Sequence, residues 1–214
     1  MRIERLHYIS QQPTAGTHLD AIETILKAGG KWVQLRVKNQ PEDKLLEMAI
    51  QAKVLCERHG AKLIVNDHPL IALKAGADGL HLGLTDTSIT AARKLLGPGM
   101  IIGGTANTFD HINLRVHEGA DYVGLGPFRF TRTKENLSPI LGLDGYKDIM
   151  ERVQRAAFNI PIIAIGGIQT EDIKGLIDAG LYGVAVSGAL TDQPHTQQVI
   201  SIIQERLIHG SSFI

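Results

Sequence analysis

Cysteine is all but missing from this chain, with Cys56 the only one among 214 residues. An internal disulfide framework is therefore excluded, and a cytoplasmic setting is expected. An excess of one charge is missing too: 22 basic residues face 22 acidic ones, for a formal net charge of zero. A nucleic-acid partner would call for a basic patch or stripe, and none is legible. No apolar run is long enough to span a bilayer, so no membrane partner is expected, and Glu4 and Arg5 interrupt the charged-then-apolar order of a secretory leader. Small molecules are left as the expected partners. Cys56 falls in a helical pattern and reads as a small packed group rather than a nucleophile.

What the chain does have is a 43% hydrophobic content, enough for one core of ordinary depth, and 23 glycines without a period. No low-complexity linker divides it, so residues 1–214 read as a single domain. Short, almost wholly apolar strand candidates alternate with helical patterns: Arg5–Ser10, Lys31–Lys38, Ala61–Val65, Gly79–Leu82, Met100–Gly103, Asp121–Gly124, Pro161–Ile165 and Tyr182–Val186. No hairpin turn joins them, which is how parallel strands buried on both faces read. An internal echo points the same way. AGADGLHLG at Ala75–Gly83, EGADYVGLG at Glu118–Gly126 and AGLYGVAVSG at Ala179–Gly188 each describe a helix ending at glycine, a tight turn, a strand and another glycine. A closed (β/α)8 TIM barrel fits this repetition better than an open sheet. The chain is short against the usual ~250 residues of that fold, so its helices and loops must be lean.

The stretch KWVQLRVK at Lys31–Lys38 sets Gln34, Arg36 and Lys38 two residues apart. On a strand they share one face. Two cations on a packed face need partners, so the stretch reads either as a strand entering an anion-holding cavity or as a solvated strand end with salt bridges. Further polar groups fall at strand ends, where a barrel of this type keeps its active site: Asn66 and Asp67, His81, Asp86, Thr105, and then Thr131, Thr133 and Lys134 in a long irregular stretch at 125–143. Asp67 and Asp86 suit Mg2+, which takes one or two carboxylates along with substrate phosphates. Capping of the following helices is the alternative for both. Gly166 and Gly167 offer unobstructed amides, and Val186-Ser187-Gly188-Ala189 could open a short extra helix, which together read as a second phosphate site or as structural glycines. His7 and His81 read first as core or hydrogen-bonding rings. Tyr8, Trp32 and Phe128 could line an organic pocket or fill the barrel.

These motifs resemble the thiamine-phosphate synthase family over nearly the whole chain. The stretches that carry the resemblance are QLRVK at Gln34–Lys38, ND at Asn66–Asp67, ADGLHLGLTD at Ala77–Asp86, GLGPFRFTRTK at Gly124–Lys134, PIIAIGGI at Pro161–Ile168 and GVAVSGAL at Gly183–Leu190. The resemblance implies an enzyme that couples hydroxymethylpyrimidine diphosphate to a thiazole phosphate, plain or carboxylated. It implies a diphosphate held by Arg36, Lys38, Asn66 and Lys134, with Arg36, Lys38 and Lys134 as the catalytic groups and Mg2+ on Asp67 and Asp86. Gln34, His81 and Thr105 fall around the pyrimidine, Thr131 and Thr133 near the thiazole phosphate, and Gly167, Val186 and Ser187 on that phosphate. A homodimer is the implied assembly. Leu84, Thr105 and Phe128-Arg129-Phe130 depart from the family pattern, which has Gln, Ser and Ile-Phe-Pro there. A thiazole tautomerase of the same fold and a non-catalytic phosphometabolite sensor are the competing readings.

Overall fold

The computed structural model describes residues 2–130 and 139–209. Eight strands close into one parallel barrel, β1 Leu6–Ile9, β2 Trp32–Leu35, β3 Lys62–Asn66, β4 Gly79–Leu82, β5 Ile101–Ala106, β6 Tyr122–Leu125, β7 Ile162–Ile165 and β8 Gly183–Val186, each paired with its neighbour and β1 with β8. Between them run α1 His18–Lys27, α2 Glu42–Arg58, α3 Pro69–Lys74, α4 Ile89–Leu96, α5 Phe109–His117, α6 Gly142–Arg155 and α7 Ile173–Asp178, and α8 Thr196–His209 closes the ring. The expected leanness is real, since α3 and α7 have six residues each. The echoed glycines do what the pattern requires: Gly76, Gly119 and Gly180, one after each of α3, α5 and α7, have φ of +62°, +82° and +96°. An L side chain rarely adopts that conformation, so glycine turns the chain from helix toward strand there.

Strand alternation splits the core into two layers. Val33, Leu35, Leu63, Val65 and Ile102 face the helices, while Trp32, Ile64, Ile101, Tyr122 and Ile163 fill the barrel interior. Trp32 therefore packs the interior and is no pocket wall, and Tyr8 packs on the helix side. Cys56 lies wholly buried in the helix layer, its thiol pushed up to about 12 chiefly by burial, which removes it as a nucleophile.

Three expected boundaries shift. β2 stops at Leu35, so Arg36 and Lys38 lie in the loop beyond it and period-two alternation does not place them. β5 runs on to Ala106, which puts Thr105 inside the strand rather than after it. No extra helix opens after β8: Leu190 and Thr191 N–H both donate to Ser187 O, and the chain continues in turns.

Interior fit gives a stability prediction. Gly103 stands against the Tyr122 ring, with no space for a β-carbon between them. Overpacking of this kind costs about 1–3 kcal/mol. Gly103→Ala should lower Tm in thermal unfolding by several degrees, and an unchanged Tm would contradict the packing.

Candidate active site

The first corner of the site is built by a serine. Ser10, buried just past β1, donates its N–H to Gln34 O at 2.9 Å, and its Oγ accepts the Arg36 N–H at 3.0 Å. His18 Nδ1 lies 3.1 Å from the same hydroxyl. Ser10 thus fixes the direction in which the chain leaves β2, and with it the half-buried Arg36. Gln34 is buried and lines a small cavity on the barrel axis with His7, His81, Tyr122 and Gly124. Lys38 is exposed.

The second corner is a pair of carboxylates. Asn66 ends β3, and Asp67 follows in a left-handed conformation at φ +64°. That geometry costs a non-glycine residue about 1–3 kcal/mol and persists only when the surroundings enforce it. Here the Asp67 N–H continues the sheet, donating to His81 O at 2.9 Å. Asp86 curls back so that its carboxylate accepts the Gly83 N–H at 2.6 Å, and a β-carbon on Gly83 would lie 2.8 Å from Asp86 Oδ2. The Asp86 carboxyl acts directly on that of Asp67. Lost hydration, then hydrogen bonding with Asp86 and its charge, push Asp67 up from 3.8 to about 7, while the Arg36 charge and hydrogen bonding with Asn66 oppose the rise. Asp67 as a residue is exposed, so the loss of hydration is partial and the facing carboxylate is the distinctive cause. Neither aspartate caps a helix. His68 occupies the N-cap of α3 without a side-chain bond, and Ser88 caps α4 through Ala91 N–H at 3.2 Å.

The third corner crosses three strands. His81 on β4 sits with Nδ1 3.0 Å from the Tyr122 hydroxyl on β6 and Nε2 3.0 Å from Thr105 Oγ1 on β5. Gly124 leaves the ring its space, since a β-carbon there would lie 3.2 Å from His81 Cε1. Burial raises the Tyr122 hydroxyl, which keeps its proton. His7 differs from His81: sealed in the interior and stacked on Trp32 at 4.3 Å, it is driven down to about 3 by burial and stays neutral.

The far side of the mouth is a backbone cradle. Gly166 and Gly167 have φ of +98° and +71°, and a β-carbon on Gly166 would lie 2.7 Å from Pro127 Cα. The β6 loop lies along this turn, with Phe128 N–H donating to Ile165 O at 2.9 Å and Arg129 N–H to Gly166 O at 3.0 Å. Arg129 then grips Gly167 O at 2.8 Å and both Asp172 oxygens at 2.7 Å. Phe128 is half-buried against Tyr146. Val186 ends β8 buried, and the next residue, Ser187, donates its hydroxyl to Gln11 Oε1 at 3.1 Å.

Gln34, Arg36, Asn66, Asp67, His81, Asp86 and Thr105 thus gather on adjacent strand ends, and Gly167, Val186 and Ser187 on the ends of β7 and β8. Thr131, Thr133 and Lys134 lie outside the described residues. Ser10, Gln11 and Arg129 are site-builders that the sequence reading does not single out; Arg129 enters it only within the Phe128-Arg129-Phe130 departure.

Comparison with known proteins gives the family. The family model for thiamine monophosphate synthase matches residues 6–190. A thiamine-phosphate synthase of Flavobacterium johnsoniae is 45% identical over 203 residues, covering 95% of this chain and 96% of that protein. One from Bacteroides fragilis is 44% identical over 201 residues, covering 92% and 98%. Among solved structures, thiamine phosphate pyrophosphorylase from Pyrococcus furiosus superposes with a TM-score of 0.83 at 25% identity, covering 97% of this chain and 96% of that one. With most of its length matched by the family and by these relatives, the chain belongs to the thiamine monophosphate synthase family.

Proposed function

We propose that this chain is a transferase that joins hydroxymethylpyrimidine diphosphate to a thiazole phosphate, plain or carboxylated, giving thiamine phosphate and diphosphate, together with CO2 where the acceptor is carboxylated. The observation that carries the reading is the meeting of the Arg36 charge with the Asp67–Asp86 pair at one mouth of the barrel, beside the His81–Thr105 contact. In this reading both substrates are small molecules, the setting is the cytoplasm and the assembly is a homodimer.

The reaction needs little from the protein beyond placement and charge. The carbon–oxygen bond to diphosphate breaks with its electron pair on the leaving group, and the methylene cation left behind is stabilised by the pyrimidine. The thiazole nitrogen lone pair then forms the new bond, and no proton has to be removed. Arg36, Lys38, Asn66 and Lys134 are assigned to the departing diphosphate, where fixed positive charge is worth most in a shielded site. Gln34, His81 and Thr105 are assigned to the pyrimidine. Gly167, Val186 and Ser187, with Thr131 and Thr133, are assigned to the thiazole phosphate, a handle whose remote binding aligns the acceptor nitrogen.

The donor set fits Mg2+. Among the described residues no cluster of three or more metal-binding side chains occurs, but Mg2+ commonly takes only one or two carboxylates and completes its shell with phosphate and water. Two neighbouring carboxylates whose charges oppose each other are a site where a cation relieves repulsion. Asp67 and Asp86 would hold the ion, which when bound supplies charge to the diphosphate oxygens.

Incubation with both phosphorylated halves and Mg2+ should yield thiamine phosphate and diphosphate in equal amounts. Interconversion of thiazole isomers without coupling would support the tautomerase reading, and binding without turnover the sensor. Arg36→Ala and Lys134→Ala should each lower kcat/KM by about 100- to 1,000-fold, on the scale of losing one preorganised charge-stabilising donor. Equal kcat/KM in wild type and variants would remove these roles.

Asp67 also gives a pH prediction. Its carboxyl is raised in the fold, so between 3.8 and about 7 the unfolded chain ionises first and stability falls as pH rises. In chelator, Asp67→Asn should raise Tm above wild type at pH 8 and leave it unchanged below pH ~3.8. The same variant should weaken Mg2+ binding in calorimetry.

A further inference from the structure

Arg115 is a charged side chain that the proposed reaction does not use, and it is 2% exposed. It comes from the last turn of α5, behind the sheet, and its guanidinium reaches two neighbouring strand ends. Nη2 donates to Gly83 O at 2.7 Å, Nε to Thr105 O at 3.1 Å, and Nη1 to Glu118 Oε2 at 2.7 Å. The strand makes room for it: a β-carbon on Gly104 would lie 2.7 Å from Arg115 Cδ and 2.8 Å from Nε. A buried ion pair of this kind is a weak source of stability, because the desolvation of two charges offsets their attraction and apolar replacements often fold as well.

We propose that Arg115 is a positioning residue that clamps the β4 and β5 ends and thereby holds Asp86 and Thr105 in register with each other. The lever is the backbone of Gly83. Its carbonyl is held by Arg115 while the same residue's N–H is held by the Asp86 carboxylate. On the next strand Arg115 fixes the Thr105 carbonyl, and the Thr105 hydroxyl meets His81. One planar fork therefore sets the distance between the carboxylate pair and the hydroxyl on the pyrimidine side. A lysine cannot do the same, since a single ammonium lacks the divergent donors that span two strands. The proposal rests on the transferase reading for the meaning of these two side chains, and on the geometry alone for the clamp.

The test is the double variant Arg115→Met with Glu118→Gln, which removes both halves of the ion pair and leaves no buried charge alone. Its Tm should stay within a few degrees of wild type. Its kcat should fall about 10- to 100-fold, the scale on which ångström misplacement acts, and the Mg2+ concentration for half-activation should rise. KM for the thiazole phosphate should stay within about twofold, because that phosphate is assigned to β7 and β8. Arg115→Lys should match the double variant in kcat, and Glu118→Gln alone, which leaves the Arg115 charge buried without its carboxylate, should lower Tm while keeping kcat near wild type, because both carbonyl contacts remain. Undiminished kcat in the folded double variant would overturn the clamp, as would an equal loss in kcat and both KM values alongside a collapsed Tm. Calorimetry with Mg2+ and inorganic diphosphate separates this from the parent reading. If wild type fails to couple the two halves, weaker Mg2+–diphosphate binding by the double variant still supports the clamp, and equal binding overturns it.

Discussion

Two carboxyl groups facing each other is the arrangement in this molecule that nothing local favours. Asp67 sits in a backbone conformation that non-glycine residues avoid, and its side chain is turned toward a like charge. Both costs are met by the parallel ladder. β3 and β4 pair through Asn66 and His81, and the ladder extends one residue further to the Asp67 N–H. Asp86 is returned to the same place by the Gly83 N–H. The site is therefore a consequence of sheet register: move β4 by one residue and the two carboxyls separate, while His81 loses Thr105.

The barrel interior makes this polar mouth affordable by being closed below it. His7, Trp32 and Tyr122 pack edge to face and stacked at 4.3 to 5.5 Å, and the isoleucines of β3, β5 and β7 fill the remainder. The one buried side-chain atom without a partner among the described residues is Trp32 Nε1, at the apolar end rather than at the site. Tyr122 belongs to both regions, its ring in the plug and its hydroxyl on His81. Polarity thus begins at one level of the barrel, and the groups assigned to substrate lie above it.

Much of this was legible in the sequence because the signals were local. Glycine after a helix, an apolar run of four or five residues and a polar residue at its end are each readable within ten positions, and they repeat. Asn66, Asp67, His81 and Asp86 fall where that reading puts them. The misreadings share a cause. Alternation through Arg36 assumed that β2 continued, but the Arg36 N–H bonds instead to Ser10 Oγ, 26 residues earlier in the chain. Thr105 falls after the strand when Met100–Gly103 is taken as its full length, whereas Gly103 and Gly104 both stand inside the strand and admit the Tyr122 ring and the Arg115 side chain. Helix capping for the two aspartates was a sound local alternative, and only the three-dimensional path of the loops excludes it. The carbonyls that Arg115 holds are 10 and 32 residues away, a reach that periodicity cannot detect.

The departure at Phe128-Arg129-Phe130 illustrates why a broken motif need not be a lost function. A proline at 130 would fix the backbone by its ring, and this chain lacks one. Arg129 supplies a different constraint: its N–H joins the β7 ladder at Gly166 O, its guanidinium forks onto Asp172, and Phe128 lies under it at 4.8 Å. Asp172 in turn accepts the Gln169 N–H, so the same carboxylate closes the turn that follows Gly167. A bidentate pair with one partner 10% exposed is worth more than a surface ion pair, because its geometry is fixed from both sides. The loop that leaves β6 is thus pinned to the Gly166-Gly167 turn by charge where a ring would otherwise set its path. The two sides of the mouth are then held by two arginines that act on backbone carbonyls, Arg115 across β4 and β5 and Arg129 across β6 and β7, which leaves Arg36 as the guanidinium among the three assigned to substrate.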